Sequence, residues 1–128
     1  MIEPLDRLYD AWNRRELEHV AEIFHPDAEF RTSGDYPGVA AVYRGHDGVR
    51  AFWRDFNEIW EDLRIEPHRY EELGDRALVL WRFSGTGRGG IVVERDGAHL
   101  ARVEDGLIVD LQAYGSWPRA LAAAGLGG

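Results

Sequence analysis

Apolar residues in this chain change their spacing once, near Trp60, and that switch constrains the fold more than any motif. Before it the period is helical. Leu5, Leu8, Tyr9 and Trp12 recur at helical spacing, and so do Leu17, Val20, Ala21 and Phe24, with a break at "NRRE". Pro26 ends the second predicted helix. "AEFRTSG" alternates as a short strand, and "SGDYPG" has turn chemistry. Val49, Phe52, Trp53, Phe56 and Trp60 form the stripe of a third helix, with Asp47 at its start.

Beyond Trp60 only strand patterns follow until the last residues. "RIEPHRYEEL" is polar and contains a proline, which predicts an edge strand or a bulge. Gly74 and Asp75 turn the chain into "RALVLWRFSG", and a glycine run turns it into "GIVVERDGAHLARV", a long bent strand with an irregularity at 95–97. "EDG" predicts a hairpin into "LIVDLQAYG". Ser116 and Pro118 are the N-cap and early proline of a short closing helix. The order predicts an α+β domain with helices on one face of a curved antiparallel sheet.

"SGTGRGG" contains G-x-G-x-x-G at Gly85, Gly87 and Gly90. In a dinucleotide fold those glycines lead from a strand into a helix whose N-terminus holds the pyrophosphate. Here "IVVE" follows, β-branched and too short for a helix, so a hairpin is expected and no nucleotide cofactor. The net charge of −8 argues against nucleic acid and anionic membrane as partners. Absence of cysteine excludes disulfides and thiolate chemistry and fits a reducing cytoplasm. The N-terminus is charged from Glu3, unlike a signal peptide, and no apolar run is long enough to cross a bilayer. His19, His25, His46 and His68 lack ligand spacing, so no metal is expected. At 128 residues a single domain is expected.

The segments "AWNRRELEHVAEIFHPDAEF", "YRGHDGVRAFW", "GTGRGG" and "AHLARVEDGLIVDLQAYGSWPRALAAAGL" together resemble the SnoaL-like branch of the nuclear-transport-factor-2-like superfamily. The resemblance spans nearly the whole chain. It implies a cone-shaped α+β barrel, in which three helices of the N-terminal half close over the concave face of the sheet and a short C-terminal helix follows. It further implies an apolar pocket with a few polar groups, and a homodimer through the back of the sheet. Polyketide cyclases, ketosteroid isomerases, epoxide hydrolases, dehydratases and non-catalytic members share this fold, which does not choose among them.

Strand parity turns the resemblance into a site. Laid on the family's pattern, "RALVLWRFSG" turns Leu78, Leu80, Arg82 and Ser84 into the pocket, and Val79, Trp81 and Phe83 to the dimer face. A slip of one residue makes Arg82 a solvated residue of the back face instead. The same pattern turns His99, Ala101, Leu111 and Ala113 inward, with Phe24 and Thr32 facing the cavity and Phe52, Trp53 and Phe56 as an aromatic lid. Asp35 and Tyr36 offer a carboxylate and a phenol at the mouth, or simply form a turn.

His99 and Arg82 are the catalytic candidates. A histidine near its unperturbed pKa serves as general acid or base, and an inward arginine stabilises an oxyanion. The alternative is a structural histidine. The isomerases' tyrosine aligns with Leu8, their base with Thr32, and the cyclases' acid with Ala113, which disfavours those constellations. Three readings stay open. One is an isomerase, cyclase or hydrolase acting on a small, largely apolar molecule; the others are a non-catalytic binder and an interaction module.

Overall fold

A computed structural model describes residues 2–34 and 39–126. In chain order the elements are α1 (Glu3–Asn13), α2 (Leu17–Glu22), β1 (Phe24–Arg31), β2 (Val42–Arg44) and α3 (Gly45–Ile59). Then come β3 (Trp60–Leu73), β4 (Arg76–Gly87), β5 (Val92–Glu104), β6 (Leu107–Tyr114) and α4 (Trp117–Ala123). The strands make one six-stranded sheet in the order β2-β1-β6-β5-β4-β3, antiparallel except for the parallel pair β1–β6. The α+β cone is as expected. Among the described residues no helix is long and apolar enough to cross a membrane.

The helices are held by their apolar stripes. Leu5, Leu8 and Tyr9 of α1 and Val49, Phe52 and Phe56 of α3 are buried, each set falling on one face at helical spacing. Two boundaries differ from expectation. α2 ends at Glu22, so His25 and Pro26 belong to β1, and Trp60 opens β3. Pro26 is tolerated there because β1 shifts register between Phe24 and Glu29. β3 is an edge strand and shifts register between Pro67 and Arg69, so both readings of its proline apply. Its outer edge is closed by Asn13, whose side chain donates to Ile65 O at 2.8 Å and accepts from Ile65 N at 2.9 Å.

The parity of β4 is the reverse of the expected one. Val79, Trp81 and Phe83 lie in the main core beneath the helices, where Phe83 meets the ring of Phe56. They are therefore not a dimer face. Leu78 and Leu80 point the other way and pack with Ala98, Ala120 and Ala124 under α4. Ser84 shares their outward parity. Arg82 is exposed and its Nε meets Asp96 at 3.1 Å. Both faces of β4 are covered, one by α1 and α3 and the other by α4, so residues 77–81 are all buried. Apolar alternation there carries no parity signal. Arg82 just beyond it did, since an unpaired guanidinium is driven outward.

Ser116 caps α4 as expected, accepting from Arg119 N at 3.3 Å. Trp117 fastens that helix to the sheet, its indole N–H donating to Trp81 O at 3.0 Å and Gly97 O at 2.9 Å. The glycine run makes the β4–β5 turn, closed by Gly87 N to Ile91 O at 2.8 Å and Gly90 N to Gly87 O at 2.9 Å. Arg88 folds back from this turn onto the end of α3, its Nε donating to Glu58 O at 2.7 Å. The anticipated irregularity at 95–97 is absent, because β4 and β5 pair in register through it.

Candidate functional site

A cavity of about 60 Å³ lies between the helices and the inner face of the sheet. Trp12, Phe30, Phe52, Phe56, Trp81 and Phe83 supply aromatic wall; of its lining, the sequence reading anticipated Thr32, Phe52, Phe56, His99 and Ala113. A second chamber, about 10 Å³, sits deeper, and Phe24, Trp53 and Leu111 line it. Trp12, Phe30, Phe52 and His99 line both chambers and so form the waist between them. Ala101 faces inward too, but it is packed in the core and lines neither chamber. Outside, an open groove of about 440 Å³ continues from Ser33, Ala113, Tyr114 and Gly115 toward Gln112 and Arg119.

His99 is the one buried polar side chain among the described residues of the core. It stands on β5 between Val79 of β4 and Ala113 of β6, which share its face of the sheet. Its Nδ1 lies 3.1 Å from Trp81 Nε1 and 2.9 Å from the Tyr9 hydroxyl. An indole N–H is a donor and never an acceptor, so Nδ1 must accept. The imidazole therefore carries its proton on Nε2. Burial pushes the pKa of His99 down to about 3, so the ring is neutral across the physiological range. Burial also raises the Tyr9 phenol well above its ordinary value and keeps it protonated.

These contacts change the role expected of His99. An imidazole near its ordinary pKa would exchange a proton at neutral pH, and this one does not. Base action through Nε2 would require a proton on Nδ1, facing the Trp81 N–H. What the ring can offer is a neutral Nε2–H donor, oriented by Trp81 and Tyr9. Phe30 meets the imidazole edge-on at 6.1 Å and Tyr9 stacks at 5.7 Å, so the ring is fixed by packing as well.

The site also departs from the expected list. Arg82 lies outside it, as do Leu78, Leu80 and Ser84, all for the reason of β4 parity. Asp35 and Tyr36 lie outside the described residues. Tyr9, and not Leu8, brings a phenol to the site; Leu8 lines the inner chamber. Thr32 borders the cavity but donates its hydroxyl to Ala40 O at 2.7 Å. Arg95, opposite Phe83 and therefore on the inner face, brings a guanidinium to the rim. The signal for Trp81 was Gly97. A glycine inside a strand marks a close approach, and a Cβ there would fall 2.4 Å from the Trp81 ring. Among the described residues no cluster of His, Cys, Asp or Glu side chains suited to a metal ion comes together.

A sequence model of the SnoaL-like domain matches residues 5–111. The chain belongs to the SnoaL-like family. No curated protein matches this SnoaL-like chain in sequence. Its fold is similar to that of an NTF2-like protein from Burkholderia pseudomallei, with a TM-score of 0.83, 24% identity, and 94% of each chain covered. TerC, co-crystallised with polyporic acid, has a TM-score of 0.82 at 24% identity, over 98% of this chain and 95% of that one. A putative polyketide cyclase from Sinorhizobium meliloti has a TM-score of 0.71 at 23% identity, over 88% of this chain and 94% of that one.

Proposed function

We propose that this SnoaL-like protein binds a small, largely apolar organic molecule through a carbonyl or enolate oxygen that accepts from the Nε2–H of His99. The observation that carries the reading is the neutral, tautomer-fixed His99 in the wall of a cavity rich in aromatic side chains. Few oriented polar groups in an apolar concavity are the usual make-up of a small-molecule site. A fold relative co-crystallised with polyporic acid and another described as a putative polyketide cyclase support it.

Size limits the ligand further. A cavity of about 60 Å³ is small beside the roughly 300–1,000 Å³ of sites that take drug-sized ligands. The remainder of a larger molecule would lie in the outer groove. The same donor would polarise a carbonyl, which is the electrophilic half of isomerase or cyclase chemistry. For the proton-accepting half, Asp96 is the one acidic residue bordering the cavity among the described residues, and its carboxylate is paired with Arg82 on the outer face of β4. Binding is therefore the function put forward, and a cytoplasmic setting fits the absence of cysteine.

The test is nitrogen-15 NMR of the His99 imidazole during titration with 2-heptanone and 6-oxoheptanoate. A protonated Nε2 and an acceptor Nδ1 are expected, with the Nε2–H signal moving on addition of ketone and the melting temperature rising by mass action. A doubly protonated ring at pH 7, or ketones that leave this signal in place, would sink the reading.

A further inference from the structure

Trp12 holds an indole N–H that the fold leaves unused. The residue sits on α1 and lines both chambers at the waist it shares with His99. Its ring is packed by Phe52 at 5.6 Å, Trp53 at 5.0 Å and Phe56 at 5.8 Å, none of which offers a lone pair. Nε1 is buried and has no hydrogen-bond partner among the described residues. Folded chains rarely leave such a donor unsatisfied, because its lost hydration is not returned. The other indole of the cavity wall makes the contrast plain: Trp81 spends its N–H on His99.

We infer that Trp12 Nε1–H is a second ligand-binding donor, completed when a bound oxygen accepts from it and from His99. This rests on the carbonyl-binding reading above and sharpens its ligand class. A ketone or enolate oxygen has two lone pairs and no hydrogen of its own, so it can accept from two donors at once. A secondary alcohol of the same shape can accept too, but brings an O–H. The Thr32 hydroxyl of the same cavity wall donates to Ala40 O and keeps lone pairs that can accept that O–H. The site therefore selects oxygen-bearing ligands over hydrocarbons of the same shape.

The experiment replaces Trp12 by 3-benzothienylalanine, which keeps the ring shape and puts sulfur where the N–H was. Binding of 2-heptanone and 1-heptene is measured by calorimetry for this variant and for the unmodified chain. The unmodified protein is expected to bind the ketone at least threefold more tightly than the alkene. The variant should bind the ketone roughly three- to tenfold more weakly, the equivalent of one neutral hydrogen bond, with its ligand-free melting temperature unchanged or higher. A second measurement needs no variant: the Trp12 indole proton should move when 2-heptanone is added and stay in place with 1-heptene. If the ketone shifts His99 but neither moves the Trp12 proton nor distinguishes the variant, the Trp12 assignment is overturned and the His99 reading stands. Equal affinity for ketone and alkene overturns both readings. If no ketone binds the unmodified protein, both fall.

Discussion

The indole of Trp81 lies against the bare Cα of Gly97, its partner across the β4–β5 ladder, so closely that a methyl group there would come within 2.4 Å of the ring. That proximity lets the indole N–H reach His99 at 3.1 Å. Gly97→Ala should therefore displace Trp81 and release His99 Nδ1. We expect a loss of stability of about 1–3 kcal/mol, the usual range for overpacking. We also expect a mixture of imidazole tautomers by nitrogen-15 NMR. A Gly97→Ala protein as stable as the parent, with a single unchanged tautomer, would show that the indole does not set the ring's protonation.

A second expectation concerns pH. The folded pKa of His99, about 3, lies below the ordinary 6.5 that the unfolded chain restores. Between those values the unfolded state binds more protons, so stability must fall as pH falls, by up to about 1.4 kcal/mol per unit. Above about pH 6.5 the contribution is complete and flat. His99→Gln removes this titration while keeping an acceptor for Trp81 and a donor for the cavity. Urea unfolding at pH 7 and pH 4.5 should show the parent losing roughly 2–3 kcal/mol more than the variant. Equal losses would mean that His99 is not held neutral.

His99→Leu should behave quite differently from His99→Gln. It leaves the Trp81 N–H and the Tyr9 hydroxyl without an acceptor in the core, which costs about 1–3 kcal/mol for each buried group. Denaturant melts of the two variants side by side make the comparison. If leucine is tolerated as well as glutamine, the polar triad contributes nothing to the fold.

Arg82→Met should be close to silent. Arg82 and Asp96 are both about half exposed, at 48% and 43%, and an exposed pair of this kind contributes at most about 1 kcal/mol. Ketone affinity should not change, since the side chain is on the other face of β4 from the cavity. A tenfold loss of ketone binding would restore Arg82 to the site and reverse the strand parity.

NAD, NADP and ATP should not bind measurably. The glycines at 85, 87 and 90 join two antiparallel strands, and Gly85 is pressed against Trp60, where a Cβ would lie 2.9 Å from the ring. No helix begins after them to receive a phosphate. Micromolar affinity in a calorimetric titration would contradict this.

While the inward facing of His99 came from the resemblance to the family, the element order, the hairpin at the glycine run and the cap of α4 were legible in the sequence, because each depends on local periodicity or turn chemistry. So were the aromatic lid positions Phe52 and Phe56, which follow from a single helical stripe. Short β2 escaped notice because three residues carry no period. What His99 does was not legible. Its low pKa comes from burial, and its tautomer from Trp81, 18 residues away, and Tyr9, 90 residues away. The facing of β4 was equally hidden, since α4 from the far end of the chain covers Leu78 and Leu80 while α3 covers Phe83. Sequence by itself determined which residues form strands and helices, through contacts between near neighbours. Only the tertiary structure decided which face of β4 looks into the cone and which nitrogen of His99 holds the proton, because both depend on groups that folding alone brings together.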